Sequence, residues 1–121
     1  MDFKTLTRDE RLALAALIRT MVRLDRSYSR EESGRVQDIA EELGDPEAFW
    51  ETMELAEQTV DSPEKLRAVT AAITRPEARQ LVLDVLESVA TADVSGDAEQ
   101  KMIAEVRALW DGASDTGPYR A

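Results

Sequence analysis

The sequence contains no cysteine and no histidine, and these absences exclude several kinds of site. Without cysteine there is no disulfide, no thiolate nucleophile and no cysteine-bound zinc or iron–sulfur cluster. Without histidine, the usual general base near neutral pH and the commonest metal ligand are both missing. Any bound metal must be held by oxygen atoms, which favours Mg²⁺, Ca²⁺ or Mn²⁺. A hydrolase acting through a carboxylate-bound metal stays open as an alternative, but we predict no enzyme activity.

The chain also lacks a long apolar run and an excess of bases. Its longest apolar stretch, residues 12–18, is far shorter than the roughly 20 residues that cross a bilayer. Charged residues near the N-terminus interrupt any signal-peptide core. The 25 acids outnumber the 15 bases, and a net charge of −10 opposes binding to phosphate backbones. We therefore predict a cytoplasmic protein that binds no nucleic acid and does not span a membrane.

Helix signals divide the 121 residues into about six segments. Apolar residues recur at spacings of three and four, and no stretch alternates as a strand would. The predicted starts combine a capping residue with a nearby acid, amide or proline: Thr7 with Glu10, Ser29 with Glu32, Asp45-Pro46, Ser62-Pro63, Thr74 with Glu77, and Asp97 with Gln100. The predicted fold is an all-α, compact bundle. Residues 1–112 form one domain that ends at Gly112, and residues 113–121 are predicted to be a disordered tail.

The sequence repeats weakly, which predicts two related αα-hairpins with a pseudo-twofold relation. A shift of 68 residues aligns the first helix with the fifth, and a shift of 67 aligns the second with the sixth. The third and fourth helices would link the hairpins. The aligned pairs include Met21 with Val89, Asp25 with Asp93, Glu32 with Glu99, and Val36 with Ile103.

Four aligned carboxylates lie at the junctions of the two hairpins. Asp25 and Asp93 extend the apolar stripes that end the first and fifth helices, and Glu32 and Glu99 precede those of the second and sixth. A charge on the inner side of a junction is costly unless it is paired, hydrogen-bonded or bound to a cation. Helix capping and ion pairing with nearby arginines would stabilise these charges. A divalent cation, with Ser29 and Asp97 as supporting groups, is the alternative.

The two stretches at residues 17–44 and 82–110 resemble the TerB-like family of helical domains. The shared pattern is an apolar helix ending in Asp, a short loop, and a Glu that opens the next helix, used twice. The resemblance implies a helical bundle with a metal site, which here would comprise Asp25, Glu32, Asp93 and Glu99. It also implies a non-catalytic role in tellurite or other stress responses, with a protein partner near the inner membrane surface. The glycine that follows each Asp in the family is absent here.

Acidic charge is concentrated in residues 41–61, which contain eight acids and no base. Glu47, Glu51 and Glu54 share one face of the third helix, either as a solvated surface or as a docking site for a basic partner. Arginines at positions 19, 23 and 26 could meet that face in a second copy, which would give a homodimer. Trp50 and Trp110 are predicted to be buried or half-buried. A metal-free interaction or oligomerisation module is therefore the alternative function.

Overall fold

The computed structural model describes residues 5–24, 30–90 and 97–115, with side chains except those of residues 24, 30–33, 97–99 and 111–115. These ranges contain six α-helices and no strand, so the all-α prediction is confirmed. The helices are α1 (Arg8–Leu24), α2 (Arg30–Glu42), α3 (Pro46–Thr59), α4 (Pro63–Ala71), α5 (Pro76–Ala90) and α6 (Asp97–Asp115).

Local capping sets the starts of α1, α3 and α4, as the sequence predicted. The Glu10 amide donates to Thr7 Oγ1 (3.2 Å), and the Thr7 amide donates to Glu10 Oε1 (2.8 Å), which closes a capping box before α1. Asp45 and Ser62 accept hydrogen bonds from first-turn amides of α3 and α4, each followed by proline. Gly44 follows α2 with a φ of 91°, a conformation that other residues rarely adopt.

The start of α5 and the end of α6 differ from the prediction, and Asp97, predicted to cap the sixth helix, is the first residue of α6. Helix α5 begins at Pro76, and the Arg79 amide donates to the carbonyl of Arg75 at 3.0 Å, so Arg75 rather than Thr74 precedes the first turn. Proline suits the first helical position because its missing N–H would have no partner there. Helix α6 continues past Gly112 to Asp115, so the first three residues of the predicted tail are helical. A helical glycine costs only about 1 kcal/mol relative to alanine.

Helix α1 lies at the centre of the bundle. Every residue from 13 to 18 is buried, including Leu14 and Ile18 at 0% exposure. A helical segment that is apolar on all sides needs neighbours on all sides. Helices α3, α4, α5 and α6 supply them, with the most extensive packing against α3. Alanines at positions 13, 15 and 16 leave room for these neighbours to approach closely.

The other helices bury the apolar stripes that the sequence predicted. Trp110 is 4% exposed, its indole N–H donates to the carbonyl of Thr70 at 2.9 Å, and the Arg79 guanidinium lies 5.3 Å from its ring centroid. This side chain therefore joins α6 to α4 and α5. The buried residues of α2, α3, α5 and α6 include Val36, Ile39, Leu43, Phe49, Met53, Val82, Leu86, Val89, Ile103 and Val106.

Each of the two predicted hairpins packs against helices of the other. Helices α1 and α5 contact each other, while α6 packs on α1 and α2 packs on α5. The α1–α6 and α2–α5 contacts are reciprocal, as a pseudo-twofold relation predicts, but α5 also packs on α6, and α1 and α2 do not pack comparably in the described ranges. The linking helices complete the walls, since α3 covers α1 and α2, and α4 covers α1 and α6.

A charged pair joins the starts of α1 and α5. Glu10 is 6% exposed, and its carboxylate accepts hydrogen bonds from Arg75 Nε (2.9 Å) and Nη2 (2.5 Å). The same Nη2 donates to the carbonyl of Thr5 at 2.9 Å. These guanidinium hydrogen bonds hold the pKa of Glu10 below its usual value, against the opposing effect of burial, and the Thr7 amide adds to the lowering. A buried carboxylate at this position is stable because it is doubly paired.

We expect Glu10→Gln to lower the free energy of unfolding at neutral pH by roughly 1–2 kcal/mol, because glutamine can still accept from Thr7 but carries no charge for Arg75. The folded-state pKa of Glu10 lies below its usual 4.5. Its contribution to stability is therefore complete above that pH and is lost as the pH falls through the folded-state pKa. Urea unfolding from neutral to acidic pH should show that the difference in unfolding free energy between wild type and Glu10→Gln decreases.

A matched control is Glu105→Gln, which removes an exposed carboxylate from α6. Its pH profile should parallel that of the wild type. A gap between wild type and Glu10→Gln that stays constant below the usual pKa would contradict the assigned role of the pair.

Candidate functional site

Two contacts establish how the helices are oriented. The Glu10–Arg75 pair places the starts of α1 and α5 together. Arg35 Nε donates to Ser88 Oγ, which places the first half of α2 beside the last turn of α5. The start of α2 and the end of α5 therefore lie at the same end of the bundle. The helix ends that flank both predicted acidic junctions are thus at one end, which we call the junction end.

The predicted cation ligands lie mostly outside the described part of the chain. Asp25, Ser29 and Asp93 are outside it entirely, and Glu32, Asp97 and Glu99 are described only as backbone within α2 and α6. Helix α2 begins at Arg30 and α6 at Asp97, so Glu32 and Glu99 each occupy the third helical position. This equivalence favours Glu99 as the counterpart of Glu32. Among the residues whose side chains are described, no cluster of three or more acids is arranged to hold a metal.

The structure divides the eight acids of residues 41–61 into two groups. Five of them have a partner: Glu41 with Gln37 (3.2 Å), Glu42 with Arg35 (3.2 Å), Asp45 with the Ala48 amide (3.1 Å), Glu57 with Arg19 (3.8 Å) and Asp61 with Lys65 (3.0 Å). The other three are Glu47, Glu51 and Glu54, all exposed on α3. Within residues 5–24, 30–90 and 97–115, none of these three makes an ion pair or side-chain hydrogen bond. We call them the α3 acidic face.

Trp50 lies beside the α3 acidic face and is more exposed than the sequence predicted. Its exposed fraction is 40%, and no other large apolar side chain is exposed to this degree in the described ranges. Its ring meets the buried ring of Phe49 edge to face, with centroids 5.1 Å apart and planes at 84°. Trp50 is three residues after Glu47 and four before Glu54, so it lies on the same face of α3 as these acids. This spacing could have predicted that Trp50 is exposed.

The basic residues of α1 are only partly free to meet that face. Arg19 is paired with Glu57 of the same chain at 3.8 Å, and its side chain is 24% exposed. Arg23 is exposed, and Arg26 lies outside the described residues. The sequence predicted that Arg19 could meet the acidic face of a second copy. In the structure it pairs instead with Glu57 of its own chain.

Residues 11–111 match the family model described as "Tellurite resistance protein TerB". The match extends from α1 into the last turns of α6 and includes both acidic junctions. The chain belongs to the TerB family. The match covers nearly all of the helical bundle, and the resemblance drawn from the duplicated junctions is confirmed. No curated protein and no solved structure matches the chain.

A groove of about 860 Å³ lies between α1, α4 and α6 of this TerB domain. Apolar side chains such as Leu66 and Leu109 line it, while Arg67 and Lys101 are accompanied by Glu64 and Glu105. The mixed charges give the groove no preference for an anion or a cation. The groove could not be predicted from the sequence, because its walls come from three separate helices. None of the helices in the described ranges is long and apolar enough to cross a bilayer.

We expect the two tryptophans to differ sharply in their contribution to stability. Trp50→Gln should lower the free energy of unfolding by roughly 1–2 kcal/mol, because the side chain is 40% exposed and its main aromatic contact is with Phe49. Trp110→Gln should cost roughly 3–5 kcal/mol, because it opens the core and removes the contacts with Thr70 and Arg79. Urea unfolding of both variants measures the difference. Equal losses would contradict the assigned positions.

Proposed function

We propose that this TerB domain is a non-catalytic adaptor that docks a basic protein segment on the α3 acidic face. One observation carries the proposal: Glu47, Glu51 and Glu54 are the acids of residues 41–61 that have no partner in the described part of the chain. Like charges spaced one turn apart on a helix repel each other. A cationic partner relieves that repulsion, speeds association and is selected over neutral or acidic partners.

The family match supports a biological setting for this adaptor. The matched family is described by tellurite resistance. We therefore propose a role in a cytoplasmic stress response, with a protein partner near the inner membrane surface and with no reaction catalysed by the domain itself. The overall charge of −10 is consistent with a protein partner rather than a nucleic acid.

Charge reversal on the α3 acidic face tests the docking proposal. The variant Glu47→Lys, Glu51→Lys, Glu54→Lys should lose a protein that the wild type captures from a cell extract, because attraction becomes repulsion. Capture by the wild type should also weaken as salt is raised, since exposed charges are screened over about 8–10 Å at physiological ionic strength.

A control with the same net charge separates the face from the overall acidity. Glu64→Lys, Asp84→Lys, Glu105→Lys changes three exposed acids elsewhere; each substitution adds two charges, so both triple variants move from −10 to −4. The control should keep the captured protein. Identical capture by all three proteins would contradict the proposal. Sedimentation of the same proteins shows whether the partner is a second copy of this chain.

A divalent cation at the junction end is a second candidate function. The helix ends that flank the two junctions lie at the same end of the bundle, and Glu32 and Glu99 occupy equivalent helical positions. Asp25 and Asp93 would complete an oxygen-only donor set, which suits Ca²⁺, Mg²⁺ or Mn²⁺. Such an ion would neutralise acidic charge and join the two halves of the repeat.

Thermal unfolding of chelator-treated protein tests the cation proposal. Adding Ca²⁺, Mg²⁺ or Mn²⁺ should raise the melting temperature, because a ligand bound only to the folded state adds roughly 2.7 kcal/mol at a hundredfold excess over its Kd. Asp25→Asn with Asp93→Asn should abolish the rise, and Asp84→Asn, a change at an exposed position of α5, should keep it. No rise at millimolar ion, or an equal rise in the double variant, would refute the site.

A further inference from the structure

The surroundings of Trp50 specify what kind of cation the α3 acidic face suits. Trp50 is separated by three residues from Glu47 and by four from Glu54, so the two carboxylates flank it one turn away on either side. Side chains at these spacings are neighbours, with Cβ atoms roughly 5–6 Å apart. An exposed aromatic ring and two exposed carboxylates therefore share one small area of surface.

The ring is held in place before any partner arrives. It packs edge to face against Phe49, which is 0% exposed. Helix α3 is capped by Asp45 and packs more extensively on α1 than any other helix does. A group fixed by its own fold loses little conformational entropy on binding, so its contacts contribute more fully to affinity.

The carboxylate that lies two turns beyond Trp50 is already occupied. Glu57 is seven residues after Trp50 and pairs with Arg19 of α1 at 3.8 Å. Glu47 and Glu54 have no such partner in the described ranges. An incoming cation is therefore directed to the area around Trp50, and not to the edge of α3 that contacts α1.

Arginine and lysine differ in how they fit such an area. A guanidinium is planar and weakly hydrated, so it can stack on an indole while its N–H groups donate to a carboxylate. An ammonium is a compact, strongly hydrated charge that gains less from the ring. One such ring contact exists within the molecule: the Arg79 guanidinium lies 5.3 Å from the centroid of Trp110, and its Nε donates to the carbonyl of Ile73.

We propose that the surface formed by Trp50, Glu47 and Glu54 selects arginine over lysine in the docked segment. The guanidinium stacks on the Trp50 ring and donates to the flanking carboxylates. This inference rests on the proposed docking function and names the chemistry of the partner. A lysine-rich segment of equal charge binds the same face through the carboxylates alone.

Two synthetic peptides test the selection directly. Both alternate a basic residue with serine, one with arginine and the other with lysine, and both are titrated calorimetrically at one ionic strength. The wild type should bind the arginine peptide about three- to tenfold more tightly. Trp50→Leu should reduce this ratio to about one while leaving the affinity for the lysine peptide within about twofold. Trp50→Phe, which keeps an aromatic face, should retain part of the preference.

The outcomes separate the inference from the function on which it rests. Equal binding of both peptides by the wild type, with loss of both in the Glu47→Lys, Glu51→Lys, Glu54→Lys variant, overturns arginine selection and keeps the docking proposal. An arginine preference that survives in Trp50→Leu also overturns the inference. Failure of both peptides to bind the wild type overturns both proposals. Circular dichroism of Trp50→Leu confirms that the surface substitution leaves the fold intact.

Discussion

The burial of α1 is the constraint on which the rest of the structure depends. A helix with six consecutive buried residues presents apolar surface in every direction, so a single facing helix cannot cover it. Four other helices pack around it, and this requirement explains why the two links between the hairpins are themselves helices. Helix α3 packs on α1 and α2 and buries Phe49 and Met53, while Glu47, Glu51 and Glu54 are exposed to solvent. The α3 acidic face is thus the side of α3 that does not take part in this packing.

The buried stretch of α1, residues 13–18, carries no charge, and the Glu10–Arg75 pair lies at the start of the helix. The carboxylate also caps the helix, so one side chain both begins α1 and binds the residue that precedes α5. Together with the Arg35–Ser88 contact, this arrangement makes α1 and α5 begin at one end and brings the flanks of both junctions to the other. The helix ends that flank the two junctions lie at the junction end, while the buried ion pair lies at the opposite end.

Features set by neighbouring residues were predictable from the sequence, and features set by distant ones were not. The caps at Asp45 and Ser62 and the turn at Gly44 were predicted because each acts within three residues of itself. The partner of Arg75 could not be predicted, because Glu10 lies 65 residues away in the chain. Arg75, which binds Glu10, also precedes the first turn of α5, where Thr74 was predicted. The α3 acidic face was found from helical spacing. The exposure of Trp50 and the groove between three helices depend on how whole helices pack.

The unequal burial of the two tryptophans gives the molecule two separate optical reporters. Trp110 is surrounded by the core and changes its surroundings only when α4, α5 and α6 come apart. Trp50 is in contact with solvent in the folded state, so anything that covers it alters its emission and its access to soluble quenchers without unfolding. With no other tryptophan in the chain, fluorescence can distinguish an event on the surface of α3 from a loss of the bundle itself.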